Sequence, residues 1–372
     1  MTDPAPRPGL IAIDQVASLL ASRIQTLAPE LLRAGRRDGH EWRCGSLAGD
    51  PGQSLAVHMT GAKAGVWCDF STGETGDALD LVAQVLFRGD KREALRWARR
   101  WLGLETGDPA ALATARREAQ TRTEQADEQA AAEGEKKRRQ AVALWLRGVP
   151  IAGTPVEAYL FGRGIELRDI GRPPAALRYL AECYCREAGM KLPAMVAAIG
   201  DTAGRHVATH RTWIEPVPDH RQPNAWRKAS LREPKMTLGS YAGGFVRLSR
   251  GASGRAWREM RAGETVAFAE GIETALSVAA LVPEWRVAAA VSLSNLARLR
   301  LPEQVRDVVV CADRDPAHSK AAEILPKALR HLLSQGARVR AVLPDAPHKD
   351  WNDQLQAERA AHQQEASNAN RA

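Results

Sequence analysis

The sequence predicts an α/β protein in which a mostly parallel sheet near the carboxyl end follows two smaller α+β parts. The main observation is an alternation of strand-like and helix-like segments between residues 264 and 345. The strand-like segments TVAFAE, VAAAVSL, VVVCAD and RVRAVLP are separated by segments with helical spacing, such as IETALSVAALV and KAAEILPKALRHLLSQG. This alternation is typical of parallel strands joined by helices that pack on the sheet. The residues before 264 combine helices with short strands and Gly-rich turns, which predicts the two smaller parts.

The composition limits the kinds of partner that we expect the protein to bind. The chain has 372 residues and a formal net charge of +8, which favours a polyanionic partner, with nucleic acid ahead of an anionic membrane. No run of about 18 apolar residues occurs, so we expect no membrane-spanning helix and no membrane partner. The five cysteines are scattered, and the amino terminus lacks the apolar core of a secretory signal. Both features predict a reducing, cytoplasmic setting with free thiols.

Residues 1–105 are predicted to form a small α+β domain. IDQVASLLASRIQTLAPELL has helical spacing, and EWRCGSL and SLAVHMTGAKAGVWCDF are typical of short strands around Gly turns. GDALDLVAQVLF and KREALRWARRWLGL predict two helices, the first capped by Asp77. Residues 106–142 are rich in Ala, Glu, Arg and Gln and have few large apolar side chains, so we expect a charged helical linker.

The rest of the chain predicts two further domains and a tail. Residues 143–261 begin with the apolar segment AVALWLRGVPIAGTPVEAYLFGRGI and continue with the strands PAMVAAIGD, HVATHRTWIEP and GGFVRLS. Within this part, DHRQPNAWRKASLREPKMTLGS is predicted to be a basic loop. Residues 262–355 hold the parallel sheet, and the polar residues 356–372 predict a flexible tail.

Acidic side chains follow three strands of the predicted parallel sheet. Glu270 ends TVAFAE, Asp313 and Asp315 follow VVVC, and Asp350 and Asp353 lie in HKDWND after the next strand. Ligands bind beyond the carboxyl ends of parallel strands, and side chains two apart on an extended chain point the same way. We therefore expect the acids to share one edge, where a divalent cation would relieve their repulsion; carboxylate oxygens suit Mg²⁺ or Mn²⁺. Capping of the next helix would explain a single acid, but it explains three successive strand ends less well.

These segments also resemble a known family. FAEGIETALSV, CADRDPAHSKAA and LPDAPHKDWND are similar to the motifs of the Toprim domain shared by bacterial-type primases, topoisomerases and some nucleases. The resemblance covers roughly residues 262–355 and implies a Rossmann-like, mostly parallel sheet. It also implies metal binding by Glu270, Asp313 and Asp315, with Glu270 as a general acid or base. Asp350 and Asp353 would be supporting acids, and Asp350 a further metal ligand.

One position departs from the family pattern. Primases often carry an Asp four residues after the first Glu, whereas Thr274 holds that place here and Glu273 precedes it. We expect Glu273 to lie on a helix face or to support the site.

The segment before the acids resembles, more loosely, the amino-terminal half of a bacterial-primase catalytic core. The similar stretches are VEAYLFGRGI, GRHVATHRTWIEP, AWRKASLREPKMTLGS and AGGFVRLS; they match best the short Toprim proteins of phages, plasmids and other mobile genetic elements. Cations beside an acidic metal site would grip a phosphate backbone or a triphosphate. The candidates are Arg211, Arg227, Lys228, Arg232 and Lys235. Trp213 and Trp226 are candidates for stacking on bases, although core packing would explain the same tryptophans.

The amino-terminal domain is similar to a primase zinc-binding domain that has lost its metal. GDALDLV resembles the helix that follows the last metal cysteine of that domain. A structural zinc site needs four closely spaced ligands, whereas Cys44, His58 and Cys68 offer three at poor spacing. We expect no zinc, and we expect packing to replace it in this zinc-finger-like domain. The side chains predicted to pack are Trp42, Val66, Trp67 and Phe70. The domain would contact single-stranded template.

The resemblance implies a DNA primase-like nucleotidyltransferase of DNA replication. It would use Mg²⁺ or Mn²⁺ to join nucleoside triphosphates into short primers on single-stranded DNA. The chain has no G-x-x-x-x-G-K-[ST] motif, so a replicative helicase would be a separate partner. Two alternatives remain: a Toprim metal-dependent nuclease, which would use the same acids, and a non-catalytic replication accessory that binds single-stranded DNA.

Overall fold

Two units of tertiary structure, Met1–Glu133 and Gly134–Ala372, make up the chain. The computed structural model describes residues 12–104, 109–219, 224–316 and 318–369. None of the helices in these ranges is long and apolar enough to cross a membrane.

The first unit has the predicted α+β character. Its elements are α1 (Ile13–Ser22), α2 (Ile24–Leu31), β1 (Arg36–Asp38), β2 (Glu41–Cys44), β3 (Leu55–His58), β4 (Trp67–Asp69), β5 (Thr75–Gly76), α3 (Ala78–Phe87) and α4 (Lys91–Trp101). The strands form an antiparallel sheet in chain order. Asp77 caps α3 as predicted, because its carboxylate accepts hydrogen bonds from the backbone N–H groups of Leu79 and Asp80. The first predicted helical segment is divided at Arg23, whose backbone leaves the helical region.

Most of the predicted charged linker is helical. Its residues 109–142 lie within α5 (Pro109–Leu146), a helix of 38 residues, and its residues 106–108 lie outside the described ranges. Ion pairs one turn apart join Glu118 to Arg122 at 3.0 Å and Glu135 to Arg138 at 2.7 Å. Such pairs stabilise a helix that has few apolar side chains to bury.

The second unit begins with an antiparallel sheet. Its elements are β6 (Val149–Pro150), α6 (Pro155–Phe161), β7 (Leu177–Cys185), β8 (Met190–Gly200), β9 (His206–Pro216), β10 (Trp226–Lys228) and β11 (Lys235–Gly239). The strand order is β10-β9-β8-β7-β6, and β11 also pairs with β9. The prediction of one long basic loop is therefore wrong in part. Both short strands satisfy their backbone groups along β9, which outweighs their polar composition.

The predicted parallel sheet completes the second unit and confirms the α/β class. Its elements are β12 (Val246–Arg247), β13 (Thr265–Ala269), α7 (Ile272–Leu281), β14 (Arg286–Ala289), α8 (Leu293–Leu296), β15 (Asp307–Cys311), α9 (Lys320–Leu333), β16 (Arg338–Val342) and α10 (Trp351–Ala369). The order is β12-β14-β13-β15-β16, and every pair is parallel except that of β12 with β14. Helices cover the sheet, so β13 and β15 are almost wholly apolar and buried.

One apolar core connects the two sheets of the second unit. It contains Met195 and Ile214 from the antiparallel sheet and Ala267 from the parallel sheet, together with Leu276 of α7. The two sheets therefore hold each other in a fixed arrangement.

The carboxyl-terminal segment differs from the prediction of a flexible tail. Helix α10 continues to Ala369. Its first turns bury Trp351 and Leu355, and Arg359 then pairs with the carboxylates of Glu166 and Asp169. These anionic partners are distant in the sequence, so the polar composition of the segment did not reveal the anchor.

Candidate functional site

The acids of the two central strands lie at one edge of the parallel sheet. Ala269 of β13 is in register with Cys311 of β15, so Glu270 and Asp313 leave neighbouring parallel strands at their carboxyl ends. Burial, together with the negative charges of Asp350, Asp315 and Glu270, raises the pKa of Asp313 to about 7. The charges of these three neighbours therefore act on Asp313, and the metal-binding roles assigned to the four carboxylates stay predictions.

Glu270 is exposed at this edge. The surrounding protein nevertheless displaces part of its water, which raises the pKa of its carboxyl group, and Asp315 raises it further. The backbone N–H of Leu293 and the ammonium of Lys235 act in the opposite direction. Glu270 thus lies between an anion, Asp315, and a cation, Lys235.

The Asp313 carboxylate lacks a hydrogen-bond donor for one of its oxygens among the described residues. Its Oδ1 atom is buried and accepts no hydrogen bond from any described residue. A buried carboxylate oxygen without a donor must either keep a proton or face a cation. This atom and its acidic neighbours fit Mg²⁺ or Mn²⁺, which prefer carboxylate oxygens.

The acids do not form a closed metal cage. Within the described ranges, no three His, Cys, Asp or Glu side chains lie close enough together to hold one ion. Mg²⁺ commonly keeps several waters and uses one or two carboxylates together with substrate phosphates, so an open acidic edge suits it better than a closed cage would.

Asp350 and Asp353 have different positions. One carboxylate oxygen of Asp350 accepts hydrogen bonds from the backbone N–H groups of Asn352 and Asp353, each at 2.9 Å, and so caps α10. Asp350 also raises the pKa of Asp313. The Asp353 side chain is exposed on the first turn of α10. Of the two predicted supporting acids, Asp350 is the one that acts on Asp313.

Glu273 is the centre of a buried polar network. It lies in the first turn of α7 and is 4 % exposed. Its carboxylate accepts hydrogen bonds from Tyr159 Oη at 2.8 Å and Lys235 Nζ at 2.9 Å, and Lys228 Nζ lies 3.8 Å away. Burial alone would raise the pKa of this carboxyl group, but the two lysines outweigh burial and hold it well below its usual range. The carboxylate therefore positions both lysines.

The predicted basic cluster divides into two groups. Lys228 and Lys235 converge on Glu273, and Lys235 also acts on Glu270 at the acidic edge. Burial lowers the pKa of Lys228, and Lys235 lowers it further, whereas Glu273 raises it. Glu273 therefore holds two cations close together, and one of them, Lys235, is near enough to the acids to act on Glu270.

The three predicted arginines have other neighbours. Arg227 donates to Glu215 at 2.9 Å, and Arg232, which is almost fully exposed, lies 3.6 Å from Glu187. Arg211 lies over the ring of Trp213 at 5.2 Å. Their contacts link none of them to the acidic edge.

The two tryptophans are packed. Trp213 is 1 % exposed and donates its indole N–H to the carbonyl of Cys183 at 3.1 Å, so the prediction that it stacks on bases is wrong. Trp226 is partly buried against the main core. The face of β9 that carries Trp213 is covered, which alternation along one strand did not reveal.

Two residues of the network were missed by the sequence analysis. Tyr159 lies in α6 and contacts Glu273 across 114 positions of sequence. Arg163 follows α6; its charge lowers the pKa of both Tyr159 and Lys228, and its Nε atom is buried without a hydrogen-bond partner among the described residues. Both residues lie in the segment VEAYLFGRGI, which resembles part of a primase core, but the sequence analysis assigned no role to either of them.

The packing predicted for the amino-terminal unit is present only in part, and its likeness to a zinc-binding domain stays a prediction. Trp67 is buried and Trp42 packs against the same core, but Val66 is 42 % and Phe70 is 65 % exposed. The prediction that all four side chains pack is therefore wrong for Val66 and Phe70, which lie beside buried neighbours on the short strand β4 and its end. Burial raises the pKa of the Cys44 thiol to about 11, which disfavours the thiolate that zinc requires.

Comparison with known proteins assigns two segments. Residues 265–361 match the Toprim domain family, and residues 135–248 match a family described as a domain of unknown function (DUF7146). The chain thus carries a Toprim domain, which confirms the resemblance found in its motifs. A search of curated protein sequences gave no match.

Several primase structures are similar to the chain. The zinc-binding and RNA polymerase domains of Aquifex aeolicus primase are 14% identical, with 93% of this chain and 84% of that chain covered and a TM-score of 0.36. A DNA primase domain from Pseudomonas aeruginosa is 16% identical, with 60% and 75% covered and a TM-score of 0.38. The primase fragment of the bacteriophage T7 primase-helicase protein is 15% identical, with 56% and 72% covered and a TM-score of 0.35. These likenesses are weak, and the Toprim assignment rests on the family match.

Proposed function

We propose that this protein is a primase-like nucleotidyltransferase that joins nucleoside triphosphates into short primers on single-stranded DNA. The observation that carries the proposal is the electrostatic coupling of Glu270, Asp313 and Asp315 at one edge of the Toprim sheet, beside Lys235. Anionic ligands for a cation and cations for a polyphosphate are the two requirements of phosphoryl transfer. The Toprim family match supports the same class of chemistry.

The acidic residues would act on the attacking hydroxyl and on the reacting phosphate. The 3′-oxygen of the primer forms a bond to the α-phosphorus of the incoming nucleotide, and the bond from that phosphorus to the pyrophosphate oxygen breaks. Mg²⁺ or Mn²⁺ bound at this edge by one or two of the carboxylates of Asp313, Asp315 and Glu270, together with substrate phosphates, would lower the pKa of the attacking hydroxyl and neutralise charge on the phosphate. Glu270, whose pKa is raised, is suited to accept the hydroxyl proton.

The basic residues would hold the nucleotide. Lys228 and Lys235 are held together by Glu273, and Lys235 acts on Glu270 at the acidic edge, so the two lysines would bind the oxygens of the triphosphate. Arg211, Arg227 and Arg232 remain predicted contacts for the template backbone, away from the reacting phosphate.

The first unit would contact the template. Phe70 is 65 % exposed, and the guanidinium of Arg43 lies 5.8 Å from the centre of its ring. An exposed aromatic ring beside a cation is the combination that binds unpaired bases and the adjoining phosphates. Phe70→Ala should therefore weaken binding of a fluorescent single-stranded oligonucleotide, and unchanged affinity would exclude this contact. A separate replicative helicase stays a predicted partner.

Primer synthesis is the direct test. The full chain is mixed with a single-stranded template, Mg²⁺ and labelled ribonucleoside triphosphates, and the length of labelled products is measured. Asp313→Asn keeps the shape of the side chain but removes its charge, and we expect a loss of about 100-fold or more in incorporation. Asp307→Asn is the matched control, because Asp307 begins the same strand and pairs with Arg338 far from the acids.

The outcomes separate the possible functions. Equal activity of Asp313→Asn and the parent protein would show that the acids do not act in synthesis. Cleavage of the strand without nucleotides would indicate a nuclease that uses the same acids. Binding that persists in EDTA without synthesis or cleavage would indicate a non-catalytic accessory.

A further inference from the structure

A second cleft lies at the opposite edge of the parallel sheet from the acids. It has a volume of about 1000 Å³. Pro283 and Pro302, which precede β14 and β15, line one side, and residues 200–204 between β8 and β9 line another. β15 has five residues and rises about 3.3 Å per residue, so the cleft and the acids lie about 15 Å or more apart. The cleft is therefore a separate site.

The lining of the cleft is strongly basic. It includes five arginines, namely Arg168, Arg172, Arg247, Arg250 and Arg258. Among the described lining residues, Asp169 is the one carboxylate, and it is already paired with Arg359 of α10. The cleft consequently carries an excess of positive charge.

Three of the five arginines have partners within the protein. Arg168 pairs with Glu166 at 2.6 Å, Arg258 with Glu259 at 3.2 Å, and Arg247 donates to the carbonyl oxygen of Asp201 at 2.7 Å. Arg247 also lies against two aromatic rings, with its guanidinium 4.6 Å from the centre of Phe245 and 5.6 Å from the centre of Trp257. These contacts hold Arg247 in one orientation beside the cleft.

Arg172 and Arg250 lack such partners. Within the described ranges, no Asp or Glu oxygen lies within 4.0 Å of either guanidinium. The hydrogen bond of Arg250 goes to the carbonyl of Gly254 at 3.4 Å. Burial lowers the pKa of Arg250, and the charges of Arg172 and Arg286 lower it further, whereas the charge of Glu259 acts in the opposite direction. Two neighbouring cations at the wall of a cleft are stabilised when an anion lies between them.

We infer that this cleft binds the phosphate groups of a nucleotide, either free or within a nucleic-acid strand. The planar guanidinium group presents paired donors that match phosphate oxygens. The volume is at the upper end of the range for small-molecule sites and accommodates a nucleoside with its phosphates. Pro174, Pro283 and Pro302 supply apolar wall for a sugar or base. The site goes beyond the proposed primer synthesis, because it uses none of the acids or lysines of that reaction.

Binding in EDTA isolates this site from the catalytic edge. Without divalent cations the acidic edge repels phosphate, whereas the arginines need no metal. Calorimetric titration of the full chain with ATP, and separately with a single-stranded dT oligonucleotide, identifies the source of the phosphate. We expect saturable binding of at least one probe with a Kd below about 1 mM. Only binding that depends on Arg172 and Arg250 is assigned to the cleft, because the proposed template contacts elsewhere also need no metal. Such binding of ATP alone indicates a free nucleotide, and such binding of the oligonucleotide alone indicates a strand.

Two variants test the residues. Arg172→Ala combined with Arg250→Ala should weaken binding about 10-fold or more, and Arg172→Glu should weaken it similarly by reversing the charge. Neither residue has a carboxylate partner to lose, so the melting temperature should stay unchanged. Arg330→Ala, an exposed arginine on α9 outside the cleft, is the matched control. Absence of binding by both probes, or equal affinity of the double variant and the parent, would overturn the inference. Equal affinity of the double variant and the parent would leave the primer-synthesis assay, which is measured with Mg²⁺, unaffected, so the two proposals can be distinguished.

Discussion

The substitution Glu273→Gln tests the buried network most directly. It keeps the size of the side chain and an acceptor for Tyr159, but it removes the charge that lies 2.9 Å from Lys235 and 3.8 Å from Lys228. Breaking a buried ion pair from one side costs about 3–5 kcal/mol. The two lysines are about one third exposed, so water screens part of this loss and we expect about 2 kcal/mol. For a unit of this size, that corresponds to a melting temperature lower by about 4–8 °C.

The pH dependence of the unfolding free energy tests whether the charge of Glu273 causes this stabilisation. The pKa of Glu273 lies well below its usual value in the folded protein, so the unfolded chain binds the proton more readily. The stabilisation is therefore complete above a pH of about 4.5 and is lost as the pH falls below that value. The difference in unfolding free energy between parent and variant should be largest at pH 7 and should shrink between pH 5 and pH 3.

Urea unfolding followed by tryptophan fluorescence measures both quantities. Glu182→Gln is the matched control, because Glu182 and Lys191 also lie 2.8 Å apart but both side chains are more than half exposed. Water screens such an exposed pair, so Glu182→Gln should unfold like the parent. An unfolding free energy of Glu273→Gln within about 0.5 kcal/mol of the parent value at pH 7 would refute the reasoning. A difference in unfolding free energy that does not change with pH would refute it as well.

Three further predictions follow from the burial of single groups. In EDTA, the raised pKa of Asp313 means that the folded protein loses stability as the pH rises from about 4 to 7. In urea unfolding, Asp313→Asn should therefore be more stable than the parent by on the order of 2 kcal/mol at pH 8 and by little at pH 4. An equal gain in stability at both pH values would contradict the assignment. Phe268→Ala should lower the free energy of unfolding by about 3–5 kcal/mol in the same assay, because the ring is fully buried in an edge-to-face contact with Phe245. Phe161→Ala removes an exposed ring and should lower it by less than about 0.5 kcal/mol. Similar losses of stability in the two variants would place Phe268 outside the core. Protein from zinc-supplemented cultures should contain less than about 0.1 zinc per chain by atomic emission, because the Cys44 thiol keeps its proton, and stoichiometric zinc would reverse that conclusion.

The parallel sheet was the most predictable part of the structure. Its central strands are continuous apolar runs buried on both faces, and that pattern is visible in the sequence itself. Once β13 and β15 are parallel neighbours, the places of Glu270 and Asp313 follow, because the carboxyl ends of parallel strands share one edge. Local pattern and topology together thus predicted the acids.

The lysine network could not be predicted in the same way. Glu273 is followed by an apolar helix, and nothing local distinguishes it from a surface acid. Its partners Tyr159 and Lys235 come from 114 and 38 positions away, and only the packing of α6 and β11 around α7 brings them together. For the same reason Lys228 could be placed in a basic cluster but not assigned a partner, since periodicity describes faces and not contacts between them.

The network around Glu273 has a consequence for dissecting the protein. The helix that carries this carboxylate belongs to the Toprim sheet, while both ammonium groups come from strands that precede residue 240. The side-chain amide of Asn352 likewise donates to the carbonyl of Arg163 at 2.7 Å. A recombinant fragment that begins at residue 262 would therefore expose apolar surface. It would also leave the buried Glu273 carboxylate without Lys228 and Lys235 as counterions. The smallest piece worth expressing on its own begins upstream of the antiparallel sheet.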